Sequence, residues 1–143
     1  MEIETVKYFE IVERCKGDIK ELLPDLPKEN TCEAWESFRD DLETMRDDSH
    51  CHASEAVQHW DWSIYTYYGI KILYGLPLET ERQAEQEFFD IWGGEPISTL
   101  NDAFDMASRI AGFALEIIFR ETLEEMAQEL IELADTQLEN MGG

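Results

Sequence analysis

Apolar residues recur at steps of three and four along most of the chain, and no stretch alternates regularly between apolar and polar positions. The first spacing is typical of one face of an α-helix, whereas alternation is typical of a half-buried strand. The clearest series is Trp35, Phe38, Leu42 and Met45, with acidic residues between them. The pattern predicts an all-α fold, a compact helical domain of about five to six helices, with residues 1–143 forming one domain.

Turn-forming residues divide the first third of the chain into two helices. A first helix is predicted around Ile3 to Leu23, interrupted near Gly17 and ended by the segment from Pro24 to Pro27. A second begins after Asn30 or Thr31, because either side chain can accept hydrogen bonds from the first free N–H groups of a helix.

The middle of the chain is dense in Ala, Trp, Tyr and Ile. This composition, from His50 to Trp60 and from Asp61 to Tyr74, is expected of helices buried on more than one side, so we expect the centre of the core here. A short helix follows from about Glu79 to Trp92, and Gly93-Gly94 stops it.

The rest of the chain is one long helical tract. Its start resembles a capping box, with Thr99 three residues before Asp102. The phase of the apolar positions slips between Ile117 and Leu123. We expect a kink or short break there, because one straight helix of about 42 residues would be roughly 60 Å long.

Composition adds a strong acidic bias: 33 Asp and Glu against 11 Lys and Arg give a net charge of −22. A chain with 43% hydrophobic residues is too apolar for the disordered class. Its charge repels nucleic acids and anionic membranes, so we expect direct binding to neither.

Met1 to Glu4 lack the features of a signal peptide, and the apolar runs are short, which predicts a cytoplasmic protein.

Sequence motifs of the common catalytic frameworks are absent: there is no P-loop, GxGxxG, GxSxG or HExxH. We therefore expect no catalytic residues, no cofactor and no enzymatic activity. One set has metal-ligand residue types: His50, Cys51, His52, Glu55 and His59. Three of these could share a helix face, but partly buried histidines near a helix start explain the set better, so no metal site is predicted.

The acids are unevenly distributed, and the last 23 residues contain no base. Like charges four residues apart destabilise a helix by a few tenths of a kcal/mol per pair, so stability does not explain this excess of acids.

The C-terminal acids recur every three or four residues over roughly 27 Å, at about 1.5 Å per residue. That length spans about eight phosphates of one DNA strand. The predicted partner-binding residues, acting collectively, are Glu33, Glu36, Asp40, Asp41, Glu43, Asp47, Asp48, Glu121, Glu124, Glu125, Glu129, Glu132, Asp135 and Glu139.

This order of segments resembles the Ocr family of phage anti-restriction proteins, which mimic duplex DNA. An acidic helix precedes a helix with histidine and alanine (His52 to Val57), an aromatic segment (Tyr65 to Ile70), a Gly/acid-rich connection and a long acidic helix. The resemblance covers about residues 30–140. It implies an all-α inhibitor that occupies the DNA-binding cleft of a restriction or other defence enzyme in the bacterial host's cytoplasm, and so evades host defence. A homodimer is compatible with it.

Two other functions remain open. A small acidic immunity or antitoxin-like protein would neutralise one basic toxin or nuclease through a compact patch, with an aromatic hot spot such as Trp92 or Tyr74 beside two or three acids. Adaptation to high salt is a weaker alternative, because the bulky aromatic core does not suggest enrichment of acids at the surface alone.

Overall fold

The computed structural model describes residues 8–58, 78–93 and 100–142. Within these ranges the chain forms five α-helices and no strand, which confirms the predicted all-α fold. The helices are α1 (Tyr8–Leu22), α2 (Cys32–Asp47), α3 (Ser49–Gln58), α4 (Leu78–Trp92) and α5 (Leu100–Gly142). Of the expected centre of the core at 50–74, only 50–58 lies within the described ranges, and the capping residue Thr99 lies outside them.

The described core is organised around α5, which packs against each of the other four helices. The largest cluster joins α1, α3 and α5 with Met45 of α2 and includes the fully buried Phe119. A second cluster joins α2 to the later turns of α5, and a third joins α4 to its earlier turns. None of the described helices combines the length and the apolar run needed to cross a bilayer.

The long helix α5 runs without interruption for 43 residues, so of the predicted kink or short break between Ile117 and Leu123 the break is wrong. The slip in apolar phase instead marks a change of packing partners. Before it, α5 is enclosed by α1, α3 and α4, whereas after it α5 packs on α1 and α2. At the slip, the hydroxyl of buried Thr122 donates to the carbonyl oxygen of Ile118 at 2.7 Å, which satisfies this polar group within the helix.

Two glycines differ in whether they interrupt or end a helix. α1 continues through Gly17, so the predicted interruption there is wrong. Cys15 and Ile19 on either side are fully buried, and their packing offsets the roughly 1 kcal/mol that glycine costs within a helix. Gly93 does end α4 as predicted: its φ of 71° is readily adopted only by glycine, and its N–H donates to the carbonyl of Phe89.

The start of α2 has the predicted cap. Thr31 has an extended backbone, and its hydroxyl oxygen accepts a hydrogen bond from the backbone N–H of Ala34 at 3.2 Å. Asn30 has a separate role, because its Oδ1 accepts from Nε1 of Trp35 at 2.9 Å. Together these bonds fix the first turn of α2, which with its C-cap Asp48 carries half of the predicted partner-binding residues.

Candidate partner-binding surface

α2 and the second half of α5 lie side by side and antiparallel. Three polar contacts connect α5 to α2 and the start of α3: Arg39 to Asp135, Arg46 to Gln128, and Ser49 to Glu124. From the first contact to the third, the residue numbers rise along α2 and α3 and fall along α5, so α2 and α5 run antiparallel. Beneath these contacts lies the apolar cluster of Phe38, Leu42, Ala127, Ile131 and Ala134. This packing brings together two acidic segments that are far apart in the sequence.

All fourteen predicted carboxylates lie on the outside of this helix pair. Twelve of the residues are exposed, and only Glu43 and Asp135 are half-buried. They are not all on one face, however. Asp41 lies on the flank of α2 opposite its α5-facing arginines, as 3.6 residues per turn requires, and Asp48 follows the last residue of α2 as its C-cap. Glu129 lines a groove towards α1.

Two arginines lie along the boundary between the acidic helices. Nε of Arg39 is 2.9 Å from Oδ1 of Asp135 and 3.4 Å from Oε1 of Glu43, an ion-pair contact without a well-aligned hydrogen bond. Nη1 of Arg46 donates to Oε1 of Gln128 at 2.7 Å. Such partly exposed pairs contribute about 0–1 kcal/mol each, so they align the helices more than they stabilise them.

The arginines leave most of the negative charge of this surface uncompensated. Fourteen carboxylates against two guanidinium groups give the surface a net charge of −12, more than half of the −22 of the whole chain. By contrast, α1 carries four acids and three bases, a net charge of −1. The negative charge is therefore concentrated on one helix pair.

An open groove of about 820 Å³ lies where α2 passes into α3 against α5. Ser49 is only 4% exposed there, and its hydroxyl donates to Oε1 of Glu124 at 2.8 Å. Beside it, the pKa of Glu121 is raised, mainly by burial and further by the charges of Glu124 and Glu79, while Arg120 opposes the shift. Crowded carboxylates of this kind favour a nearby cation.

The sequence prediction missed the residues that join the two acidic helices. Arg39 and Arg46 directly follow the core residues Phe38 and Met45, seven positions apart. Two bases at that spacing in an otherwise acidic helix indicate a flank that meets another helix. No comparable local signal exists for Gln128.

The histidine and cysteine cluster is divided between two grooves. His50 lines the groove beside Arg120, whereas His52 and Glu55 line a different groove against α1. Sγ of Cys51 is 3.4 Å from Nε2 of His50. Among the residues that the structure describes, no three His, Cys, Asp or Glu side chains lie together as a metal ion would require, and His59 is outside those ranges.

All three cysteines are free thiols. Cys32 and Cys51 are exposed, while Cys15 is fully buried in the main core. Burial, reinforced by the charge of Asp18, raises the pKa of the Cys15 thiol to about 12. A thiol of this kind is unreactive at neutral pH and acts as a small apolar side chain.

Comparisons with known proteins found no family model, no curated protein and no solved structure that matches this chain.

Proposed function

We propose that this protein is a DNA-mimic inhibitor, which occupies the DNA-binding cleft of another protein by presenting carboxylates in place of phosphates. The observation that supports this most directly is the antiparallel contact of α2 with α5. Fourteen carboxylates from two distant segments share this helix pair, and twelve of those residues are exposed. The function requires neither a catalytic residue nor a cofactor.

The geometry suits a partner with a long basic cleft. Each acidic helix presents a row of carboxylates, and the row on α5 is roughly 27 Å long. The buried cluster beneath the helices holds both rows in place, so little ordering entropy is lost on binding. Contact with a basic cleft releases counterions from both surfaces, which gives fast association and strong salt dependence, as DNA binding does.

The resemblance to the Ocr family supports a more specific target. On that basis the partner is a restriction or other defence enzyme, met in the cytoplasm of a bacterial cell by a phage-encoded protein. The partner, and not this chain, would bind the nucleic acid.

Capture from a bacterial lysate tests the proposal. The wild-type protein serves as bait, and bound proteins are eluted either with duplex DNA or with a salt gradient. We expect duplex DNA to release DNA-binding enzymes, whose duplex binding the purified protein then inhibits competitively. A partner that DNA does not displace would contradict mimicry.

Two variants with equal changes of charge test whether the partner binds the surface formed by α2 and α5. In one, four exposed acids of α5 become glutamine: Glu121, Glu125, Glu132 and Glu139. In the other, the same change is made at four exposed acids outside the helix pair: Glu10, Glu13, Glu21 and Glu29. We expect the first variant to inhibit at least about tenfold less well, because the carboxylates act collectively, and the second to remain close to wild type.

Substitution of single residues separates mimicry from the immunity-type alternative. If many carboxylates contribute to binding of the partner, no single alanine substitution abolishes capture. Abolition by Trp92→Ala or Tyr74→Ala, with capture retained in the α5 glutamine variant, would indicate a compact hot spot instead.

A further inference from the structure

A groove of about 240 Å³ lies between α1 and the second half of α5. It is smaller than the roughly 300–1,000 Å³ of pockets that hold drug-sized ligands. Its size therefore suits one extended chain better than a cofactor. The residues that line it differ in depth, because the apolar side chains are half-buried whereas the acidic side chains are exposed.

The apolar floor of the groove consists of Val12 of α1 and Met126 of α5. Both side chains pack against the main core and remain partly exposed at the groove. Buried Thr122 lies beside them, and its hydroxyl already donates to the carbonyl oxygen of Ile118. A ligand that covers this floor removes apolar surface from water, which favours binding.

The acidic row of the groove consists of Glu121, Glu125 and Glu129, which are exposed and four residues apart. At 1.5 Å per residue, successive members lie about 6 Å apart along the helix, and the row is about 12 Å long. Lys16 also lines the groove, but its ammonium group lies 3.7 Å from Glu13. Three acids and one base therefore give the lining a net charge of −2.

An apolar floor beside an acidic row matches the chemistry of a long basic side chain. Lysine and arginine cover apolar surface with their methylene stems and keep the charged end in water. A single metal ion fits less well. In the part of the chain that the structure describes, no three His, Cys, Asp or Glu side chains lie together as one ion would require.

We propose that the groove between α1 and α5 is a docking site for a lysine or arginine side chain of the partner protein, whose stem covers the apolar floor and whose charged end meets the acidic row. This proposal rests on the proposed function, because its occupant belongs to the inhibited partner. Glu121 and Glu125 also line the larger groove beside α2 and α3. The docking site therefore extends the candidate surface from α5 towards α1.

NMR of the wild-type protein with labelled methionine methyl groups gives a test that requires no partner. The probe is a tri-lysine peptide with both ends blocked. We expect intermolecular NOEs between the lysine methylenes and the ε-methyl group of Met126, and none to Met45, which is buried in the core. Absence of NOEs to Met126 at peptide concentrations that saturate binding would overturn the proposal.

Two variants without any change of charge test the apolar floor. Met126→Gln makes the floor polar, and Leu133→Gln makes a comparable change at a 39%-exposed residue of α5 away from the groove. We expect Met126→Gln to weaken binding of the tri-lysine peptide about threefold to tenfold, and Leu133→Gln to leave it within about twofold of wild type.

Hexaamminecobalt(III) serves as a compact ion with the same charge as the peptide. Its binding should be equal in wild type, Met126→Gln and Leu133→Gln, because all three keep the same acids. Equal losses of peptide binding in the two variants, or equal losses for the peptide and the compact ion in Met126→Gln, would overturn the proposal. The NOEs in the wild type do not depend on the folding of either variant.

Inhibition of the enzyme captured from the lysate separates this proposal from the proposed function. We expect Met126→Gln to inhibit that enzyme about threefold to tenfold less well than wild type. Loss of inhibition in the α5 glutamine variant but not in Met126→Gln would leave mimicry standing and overturn the docking site. Full inhibition by both variants would overturn the docking site and contradict mimicry as well.

Discussion

The two halves of α5 differ in what surrounds them. From Ile110 to Phe119 most side chains are buried, and α1, α3 and α4 enclose the helix. From Glu121 to Gly142 the helix is buried along one side only and carries seven acids without a base. Acids near a helix C-terminus oppose the helix dipole, and like charges one turn apart repel. The comparison indicates that packing of the first half stabilises the fold. The second half can therefore carry acidic residues that destabilise the helix.

The largest effect is expected from a change in the enclosed half. Phe119 is fully buried, so Phe119→Ala should lower the free energy of unfolding by about 3–5 kcal/mol through lost burial and a cavity. Leu133, in the charged half, is 39% exposed, and Leu133→Ala should cost much less. Urea denaturation of both variants measures the difference. Equal losses would contradict the assigned division of α5.

The next effect concerns the contact that holds the charged half against α2. In Arg39→Gln, Glu43 and Asp135 lose their shared guanidinium group. The free energy of unfolding should fall by about 0.2–1 kcal/mol, because the pairs are partly exposed. The loss, measured by urea denaturation, should shrink at high salt. A loss that is independent of salt would indicate that Arg39 acts mainly through packing.

A smaller effect of opposite sign is expected when one acid of the second half is removed. Glu139→Gln should be slightly more stable than wild type, by about 0.2–0.5 kcal/mol, because it relieves the like-charge pair that Glu139 forms with Asp135 one turn earlier. Thermal denaturation at low and high salt measures this gain, which screening should reduce. A destabilised variant would show that this carboxylate makes structural contacts, and would weaken the case for a binding role.

The smallest effect is expected at Glu121, where the charged half begins. Its pKa is raised chiefly by the partial burial of this mostly exposed residue, so the ionised group is unfavourable in the folded state. Glu121→Gln should therefore be slightly more stable than wild type at pH 7, and the difference should vanish as the pH falls below 4.5. Denaturation over this pH range measures it. A difference that grows as the pH falls would contradict the assigned direction of the shift.

Much of the fold follows from local signals in the sequence. Thr31 and Gly93 mark helix ends because capping and a positive φ depend on residues only a few positions away. An interruption at Gly17 and a break after Ile117 were both predicted and are both wrong, because burial against other helices outweighs local preference there. Local patterns do not report such tertiary packing.

The candidate surface was predictable only in part. Helical periodicity is enough to place Glu36 and Glu132 on exposed helix faces. The contact between Arg39 and Asp135 joins residues nearly a hundred positions apart, and nothing local to either residue specifies it. The side-by-side arrangement of the two acidic helices therefore required the structure.

The central position of α5 also has a consequence for biosynthesis. The ribosome makes α1 to α4 before the helix on which all four pack. Until α5 emerges, apolar residues such as Ile11 and Leu42 lack most of their final partners. The nascent chain must therefore stay soluble without its core, and its dense negative charge opposes aggregation during that interval.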